Sequence, residues 1–345
     1  MMGKLINKKV LVLGLIVLMM MMTACSQSTP DQPKAETPAT TETTESTEQP
    51  AETENAADEW PNQPINIMVP ASAGGATDIF SRTLGEYITE ATGAPVVITN
   101  MSGLSGYEMV RTQEPNGYNY AMAITGLLIS KAQGDLPYGH EAFDPVTSIT
   151  ADRTTGIIVR GDSPYQTLAD LFEAIKADPQ SITGGISMTG YPYLYMLAIE
   201  DMLGSEMYCV DAGNSAERNT ALLGEQVDFI ISNAAVTKPY LESGDFRYLG
   251  IAAPERNEFI PDVPTFEEEG YDLVFPSQGA YVVAPKGTDP EVIKKFNAIL
   301  SEIFDKDDYR EKMMGMNFAV GAGLTVEETQ AELDESAKVF EKYTE

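Results

Sequence analysis

The chain has 345 residues, a formal net charge of −30 at neutral pH, 43% apolar residues and 21% charged ones. So acidic a chain excludes nucleic acid as a natural partner, because phosphate recognition needs clustered Lys and Arg and none cluster here. The length suffices for one large core or two moderate ones, while two cysteines and a single histidine leave neither a disulfide framework nor the spacing of a metal site, so no metal or cofactor is expected.

Lys4, Lys8 and Lys9 precede an apolar run from Val10 to Met22 that is too short for a comfortable membrane span and ends in small residues, the pattern of a secretory signal over residues 1–25. Met22-Thr-Ala-Cys25 resembles a bacterial lipoprotein processing site, which would make Cys25 the lipidated first residue of the mature protein. The expected location is therefore extracytoplasmic, anchored to the outer face of the cell membrane, at a cell surface or in a periplasm. Residues 26–59 carry nine acids, one base and almost no large apolar side chain, so they read as a disordered, self-repelling acidic tether. The fold is expected to begin near Trp60.

Pro64 to Pro70 has the short apolar character of a strand. Ala-Ser-Ala-Gly-Gly follows, then a helical pattern that sets Phe80, Leu84, Tyr87, Ile88 and Ala91 on one face and stops at Gly93. Pro95 to Thr99 reads as the next strand, and this strand, helix, strand unit closes naturally as a parallel crossover. Gly156 to Arg160 reads as a strand, and Thr167-Leu-Ala-Asp170 as a capping box opening a helix that ends before Asp178-Pro179. The alternation continues with strands at 182–186, 207–210 and 227–231 and helices at 193–203 and 216–223. Near the end, 279–284 reads as a strand, Asp289-Pro290 as an N-cap and first helical residue, and Thr325 with Glu328 as the cap of a last helix.

The stretch from Val69 to Asp78 joins the carboxyl end of a strand to the amino end of a helix through two adjacent glycines. Glycine lets backbone approach a ligand closely, and the open N–H groups of a first helical turn suit a carboxylate or phosphate. A tight structural turn explains the same residues. With no GxGxxG and no Lys after the glycines, a dinucleotide or P-loop reading is poor. Asp78 falls where a carboxylate caps a helix and complements its dipole. His140 stands in no recognisable partnership with a nucleophile, and Gly-x-Ser-x-Gly is absent.

Trp60-Pro-x-x-Pro64-Ile, the Gly-Gly-Ala-Thr-Asp78 stretch running to Arg82, Pro115-Asn-Gly-Tyr118, Leu222-Leu-Gly-Glu-Gln-Val-Asp228, Asp262-Val-Pro-Thr265 and Ala284-Pro-x-Gly287 occur here in order. Together they resemble the solute-binding proteins of tripartite tricarboxylate transporters, the Bug family. The resemblance implies an α/β, two-lobed periplasmic-binding-protein fold, each lobe a mainly parallel sheet flanked by helices, with a ligand cleft between lobes. It implies a receptor, not an enzyme, that captures a small organic acid or amino-acid-like solute and hands it to large and small membrane permease subunits. In the family the carboxylate is held by backbone N–H groups, hydroxyls and water, and charged side chains are usually not the anchor.

Carried over residue by residue, the resemblance places ligand contacts in the first loop (Ala71, Ser72, Ala73, Gly74, Gly75, Asp78), after the third strand (Thr125, Gly126) and in a second-lobe loop (Ser187, Met188, Thr189, Gly190), with Tyr191 as a possible wall. Asp211, Ser215 and Asn233 are expected to close on the distal part of the solute. Asp211 and Glu217 would oppose a second carboxylate and favour an amine or polar tail. Arg218 could engage one bidentately, although a solvated surface Arg is the plainer reading. Lobe 1 is expected over 60–162 and 277–345, lobe 2 over 163–276, with hinges near Arg160–Ser163 and Phe275–Gly279. The rival functions are a receptor that presents its ligand to a membrane sensor and, with less support, a secreted enzyme acting on carboxylates.

Overall fold

The computed structural model describes residues 60–344 apart from Gly75, Ser102, Asn317, Phe318 and Ala322, and the backbone but not the side chain of Ala76. The expected signal segment, lipidated Cys25, acidic tether and the ligand contact at Gly75 therefore lie outside the described residues.

Trp60 is buried, donates its indole N–H to the Gly117 carbonyl at 2.7 Å and packs edge-on against Phe296. Strand β1 (Ile65–Val69) leads into helix α1 (Ala76–Thr92), strand β2 (Val96–Asn100), helix α2 (Ser105–Arg111), strand β3 (Asn119–Ile124), helix α3 (Thr125–Ala132) and strand β4 (Phe143–Asp152). The chain then enters a second sheet: β5 (Gly156–Arg160), α4 (Leu168–Ala177), β6 (Gly184–Ile186), α5 (Gly190–Leu203), β7 (Cys209–Asp211), α6 (Ser215–Leu223), β8 (Phe229–Ser232), α7 (Ala234–Ser243) and β9 (Phe246–Ile251). It returns to the first through β10 (Gln278–Pro285) and closes with α8 (Pro290–Phe304), α9 (Asp307–Gly315) and α10 (Val326–Lys342).

The strand orders are β2-β1-β3-β10-β4 and β7-β6-β8-β5-β9, one sheet to each lobe of a mixed α/β fold. β1 is parallel to β2 and β3, and β6 to β7 and β8. The reversed strands are β10, antiparallel to β3 and β4, and β5, antiparallel to β8 and β9. Each reversed strand is the one that arrives from the other sheet, so the two crossings, not hairpins within a lobe, account for the mixed direction.

Local chemistry explains the helix starts. Thr167 and Asp170, Asn214 and Glu217, and Thr325 and Glu328 form reciprocal capping boxes, and Asp289 accepts the Glu291 N–H ahead of Pro290. Burial then fixes the faces. Phe80, Leu84 and Ile88 of α1 meet Phe296 and Leu300 of α8 under the first sheet, each fully buried side chain contributing roughly 1.5–3 kcal/mol.

The first crossing differs from expectation. The expected boundary at residue 162 puts β5 at the end of lobe 1, but Ile157, Ile158 and Val159 pair with β8 and β9, so the chain passes between sheets at residues 153–155. Arg153-Thr154-Thr155 contains neither Gly nor Pro to mark a break. The turn at Gly161, whose N–H donates to the Asp245 carbonyl, lies inside the second lobe.

Candidate functional site

Open α/β sheets place their ligands beyond the carboxyl ends of the strands, and a cleft lies there. One chamber of about 360 Å³ is lined from the first lobe by Thr77, Phe80, Ile124, Thr125 and Gly126, and from the second by Asn233 to Val236, Lys238 and Phe259. A second chamber of about 390 Å³ is lined by Ser187, Gly213, Asn214, Ser215, Arg218 and Ser232. Asn233 and Gln278 line both, so the chambers meet at the two chain crossings.

The first chamber receives the opening turns of α1, α3 and α7, and the second that of α6. A helix start carries the positive end of its macrodipole, which favours an anion at short range even in a strongly acidic chain, although Thr154 Oγ1 takes the Ala234 N–H of α7 and Asn214 Oδ1 takes the Ala216 and Glu217 N–H groups of α6. Lys238 adds a cation at the rim of the first chamber and has no ion-pair partner among the described residues. The acid in the lining, Asp152, is already engaged: Oδ1 accepts the Thr154 N–H at 2.8 Å and its hydroxyl at 2.6 Å, and Oδ2 accepts Asn233 Nδ2 at 2.8 Å. Thr154 Oγ1 in turn accepts the Ala234 N–H at 2.9 Å, so the crossing, the acid and the start of α7 form one latch. Thr125 is held in place by accepting the Gly279 N–H at 2.7 Å.

Several sequence-predicted residues meet in this cleft: Thr125 and Gly126 in the first chamber, Ser187 and Ser215 in the second, Asn233 at the junction. Others do not line it. Asp78 is buried, and its carboxylate accepts the Gly74 N–H at 2.8 Å, Arg82 Nε at 3.0 Å and Asn100 Nδ2 at 2.8 Å. Asn100 Nδ2 also donates to the Ala71 carbonyl, so Asp78 holds the 71–74 loop to β2 instead of offering an oxygen to a ligand. Ser72 and Ala73 sit exposed on that loop, and Gly74 supplies the left-handed φ of +81° that it needs. Met188 is exposed and stands outside the lining, as do Thr189, which caps α5 without a side-chain hydrogen bond, and Gly190. Tyr191 donates its hydroxyl to the Pro276 carbonyl and packs on Phe275 and Phe340, which makes it a strut beneath the second crossing. Asp211 accepts the Gly213 N–H at 3.1 Å on the far side of that turn, and the Glu217 carboxylate is occupied by its capping box, so neither acid faces the chambers.

Arg82, with help from the Gly74 N–H and Asn100, holds the Asp78 carboxyl down from its ordinary 3.8 to about 2. The folded value lies below the unfolded one, so this group's contribution is present above about pH 4 and is lost as pH falls towards 2. Urea unfolding of wild type and Asp78→Asn is therefore expected to show a stability gap at pH 4.5 that narrows by pH 2.5; a gap of constant size would show that the ionised carboxylate is not what holds the loop.

Among the lining residues missed from sequence, Thr77 and Phe80 lie in the opening turns of a helix that the sequence pattern marks, whereas Ser232 and Lys238 flank the start of α7, a helix that the pattern does not mark. Phe259 comes from an irregular segment after β9 and carried no local signal. His140 Nε2 lies 2.8 Å from Asp334 Oδ1 of α10, and neither residue lines the cleft. Burial pushes the Cys209 thiol up to about 12, the state of an unreactive sulfur.

Residues 80–340 match the model of the tripartite tricarboxylate transporter family receptor. The chain is similar to the UPF0065 protein in gbd 5'region of Cupriavidus necator, with 31% identity over 268 residues covering 74% of this chain and 79% of the relative. It is 27% identical to Protein BugT of Bordetella pertussis over 261 residues, 72% of this chain and 78% of that one. Among solved structures it is similar to a TctC solute binding protein from Polaromonas, with a TM-score of 0.76 and 24% identity over 82% of this chain and 98% of the other. A second is R. palustris Rpa4515 with adipate, with a TM-score of 0.63 and 25% identity over 83% and 97%.

Proposed function

The chain belongs to the receptor family of tripartite tricarboxylate transporters, and on that premise we propose that it is an extracytoplasmic solute-binding receptor whose cleft takes a small carboxylate-bearing solute. The observation that carries this reading is the convergence of three helix starts, from α1, α3 and α7, on one chamber of a chain whose overall charge would repel an anion. Adipate in the Rpa4515 structure supports the same ligand class. Binding would draw the two lobes together about the crossings at 153–155 and just before Gln278, and the latch of Asp152, Thr154 and Asn233 lies on that axis. Delivery to a permease of large and small subunits rests on family membership, and anchoring through a lipidated Cys25 rests on the leader sequence.

A ligand that binds only the folded state stabilises it by RT ln(1 + [L]/Kd), about 2.7 kcal/mol at a hundredfold excess over Kd. Thermal melts of the purified protein against mono-, di- and tricarboxylates, amino acids and neutral sugars are expected to show a raised Tm with at least one carboxylate. A shift confined to neutral sugars, or none with any acid at millimolar concentration, would sink the carboxylate reading.

A further inference from the structure

The resemblance to the family leads to an anchor made of backbone and hydroxyls. In this chain the second chamber holds a buried charge with no ion-pair partner among the described residues. Arg218, the fourth residue of α6, is 5% exposed. One terminal nitrogen donates to the Gly213 carbonyl at 2.7 Å and the other to Ser215 Oγ at 3.0 Å, which pins the guanidinium plane. Its Nε–H, also buried, has no partner. Beside it in the lining, Ser232 Oγ is buried and equally unpartnered, and Asn233 Oδ1 at the junction is a third such atom.

Among the described residues no carboxylate satisfies this group. Asp211 is turned to the Gly213 N–H, Glu217 to the Asn214 N–H, and Asp152 to Thr154 and Asn233. Burial lowers the Arg218 pKa and Asp211 offsets only part of that, as expected for a charge removed from water without a close opposite charge. An unpaired buried guanidinium is costly, and removing water from it further would be more so. Here the pinned guanidinium and the Ser232 side chain both line a chamber of about 390 Å³, and each keeps one polar atom without a partner among the described residues.

We propose that Arg218, with Ser232, is a charged anchor for a carboxylate of the solute in the second chamber, separate from the helix starts that receive an anion in the first. This rests on the receptor reading above and specifies it: the solute carries two anionic groups far enough apart to reach across the Asn233–Gln278 junction. The earlier expectation that acids near residue 211 would exclude a second carboxylate is reversed, because those acids face away and the base faces in.

Titration calorimetry of wild type, Arg218→Met, Arg218→Lys and Ser232→Ala with matched pairs (adipate and hexanoate, glutarate and pentanoate), plus sulfate, tests this. Wild type is expected to bind a diacid more tightly than its monoacid. Arg218→Met should weaken the diacid by about 100-fold and leave the monoacid within about threefold, Arg218→Lys should lose about 10-fold because it keeps charge without the planar fork, and Ser232→Ala should lose less. If Arg218→Met does not fold, the Lys and Ala variants carry the same comparison. Equal effects on diacid and monoacid, or none on either, would overturn the anchor and leave the receptor reading standing. Failure of every organic acid to bind wild type would overturn both. Arg218-dependent sulfate binding with no discrimination among the organic acids would identify a site for free inorganic anions and overturn the proposal.

Discussion

Ala235→Trp is expected to remove solute binding, with an affinity loss of at least about 100-fold, or roughly 2.7 kcal/mol, and little change in the Tm of the unliganded protein. Ala235 is an exposed residue in the first turn of α7 that lines the first chamber, so an indole there needs no repacking of the core. In a space of about 360 Å³ it would occupy the place of the ligand and meet Phe80 or Thr125 of the facing lobe as the cleft narrows. The check is the carboxylate that raises the wild-type Tm: its shift should vanish in the variant. Retention of affinity within about threefold would mean that the solute does not use the first chamber, and the helix starts around it would need another explanation.

Gly156→Ala is expected to have the opposite profile, destabilising the fold by about 3 kcal/mol and lowering Tm by roughly 6–12 °C. Gly156 is the first residue of β5 after the crossing, paired with Ser232 on one side and Ile251 on the other. A Cβ placed there would lie 2.2 Å from the Gly250 carbonyl oxygen and 2.9 Å from the Ile251 side chain. A backbone carbonyl in a ladder cannot rotate aside as a side-chain tip can, so β9 would have to move away from β5. Gly315→Ala is the control: it ends α9, its added Cβ meets no other described segment within 4 Å, and it should be neutral or stabilising by up to about 1 kcal/mol. Thermal melts of the two variants beside wild type decide it, and equal Tm values for both would refute the steric account.

Much of the fold was legible because its causes are local. The cap of α4 is a Thr and an Asp three residues apart, that of α10 a Thr and a Glu at the same spacing, and α8 begins with Asp-Pro. Each contact closes within one turn of the chain, so spacing alone identifies it. The junction of β1 with α1 is legible for the same reason, whereas the helix starts of α3 and α7 are not, and the ordered motifs identify the family.

What the sequence could not indicate depends on residues far apart along the chain. The crossing at 153–155 was displaced because membership of β5 in the second sheet is decided by β8 and β9, some seventy and ninety positions later. Tyr191 looked like a cleft wall until its hydroxyl met Pro276, and Asp78 like a ligand contact until Arg82 and Asn100 enclosed it. Arg218 shows the limit most clearly. Beside Glu217 and Asn219, in a polar first turn, it reads as solvated; only packing against neighbouring elements, as when Asn219 Nδ2 donates to the Val236 carbonyl of α7 at 3.0 Å, buries it.

By itself, then, the sequence determined the α/β alternation and the helix boundaries set by caps, which follow from interactions a few residues apart, and its ordered motifs determined the family. The tertiary structure alone decided which atoms of those loops remain without partners, because burial and hydrogen-bond saturation are properties of the surroundings that distant segments supply.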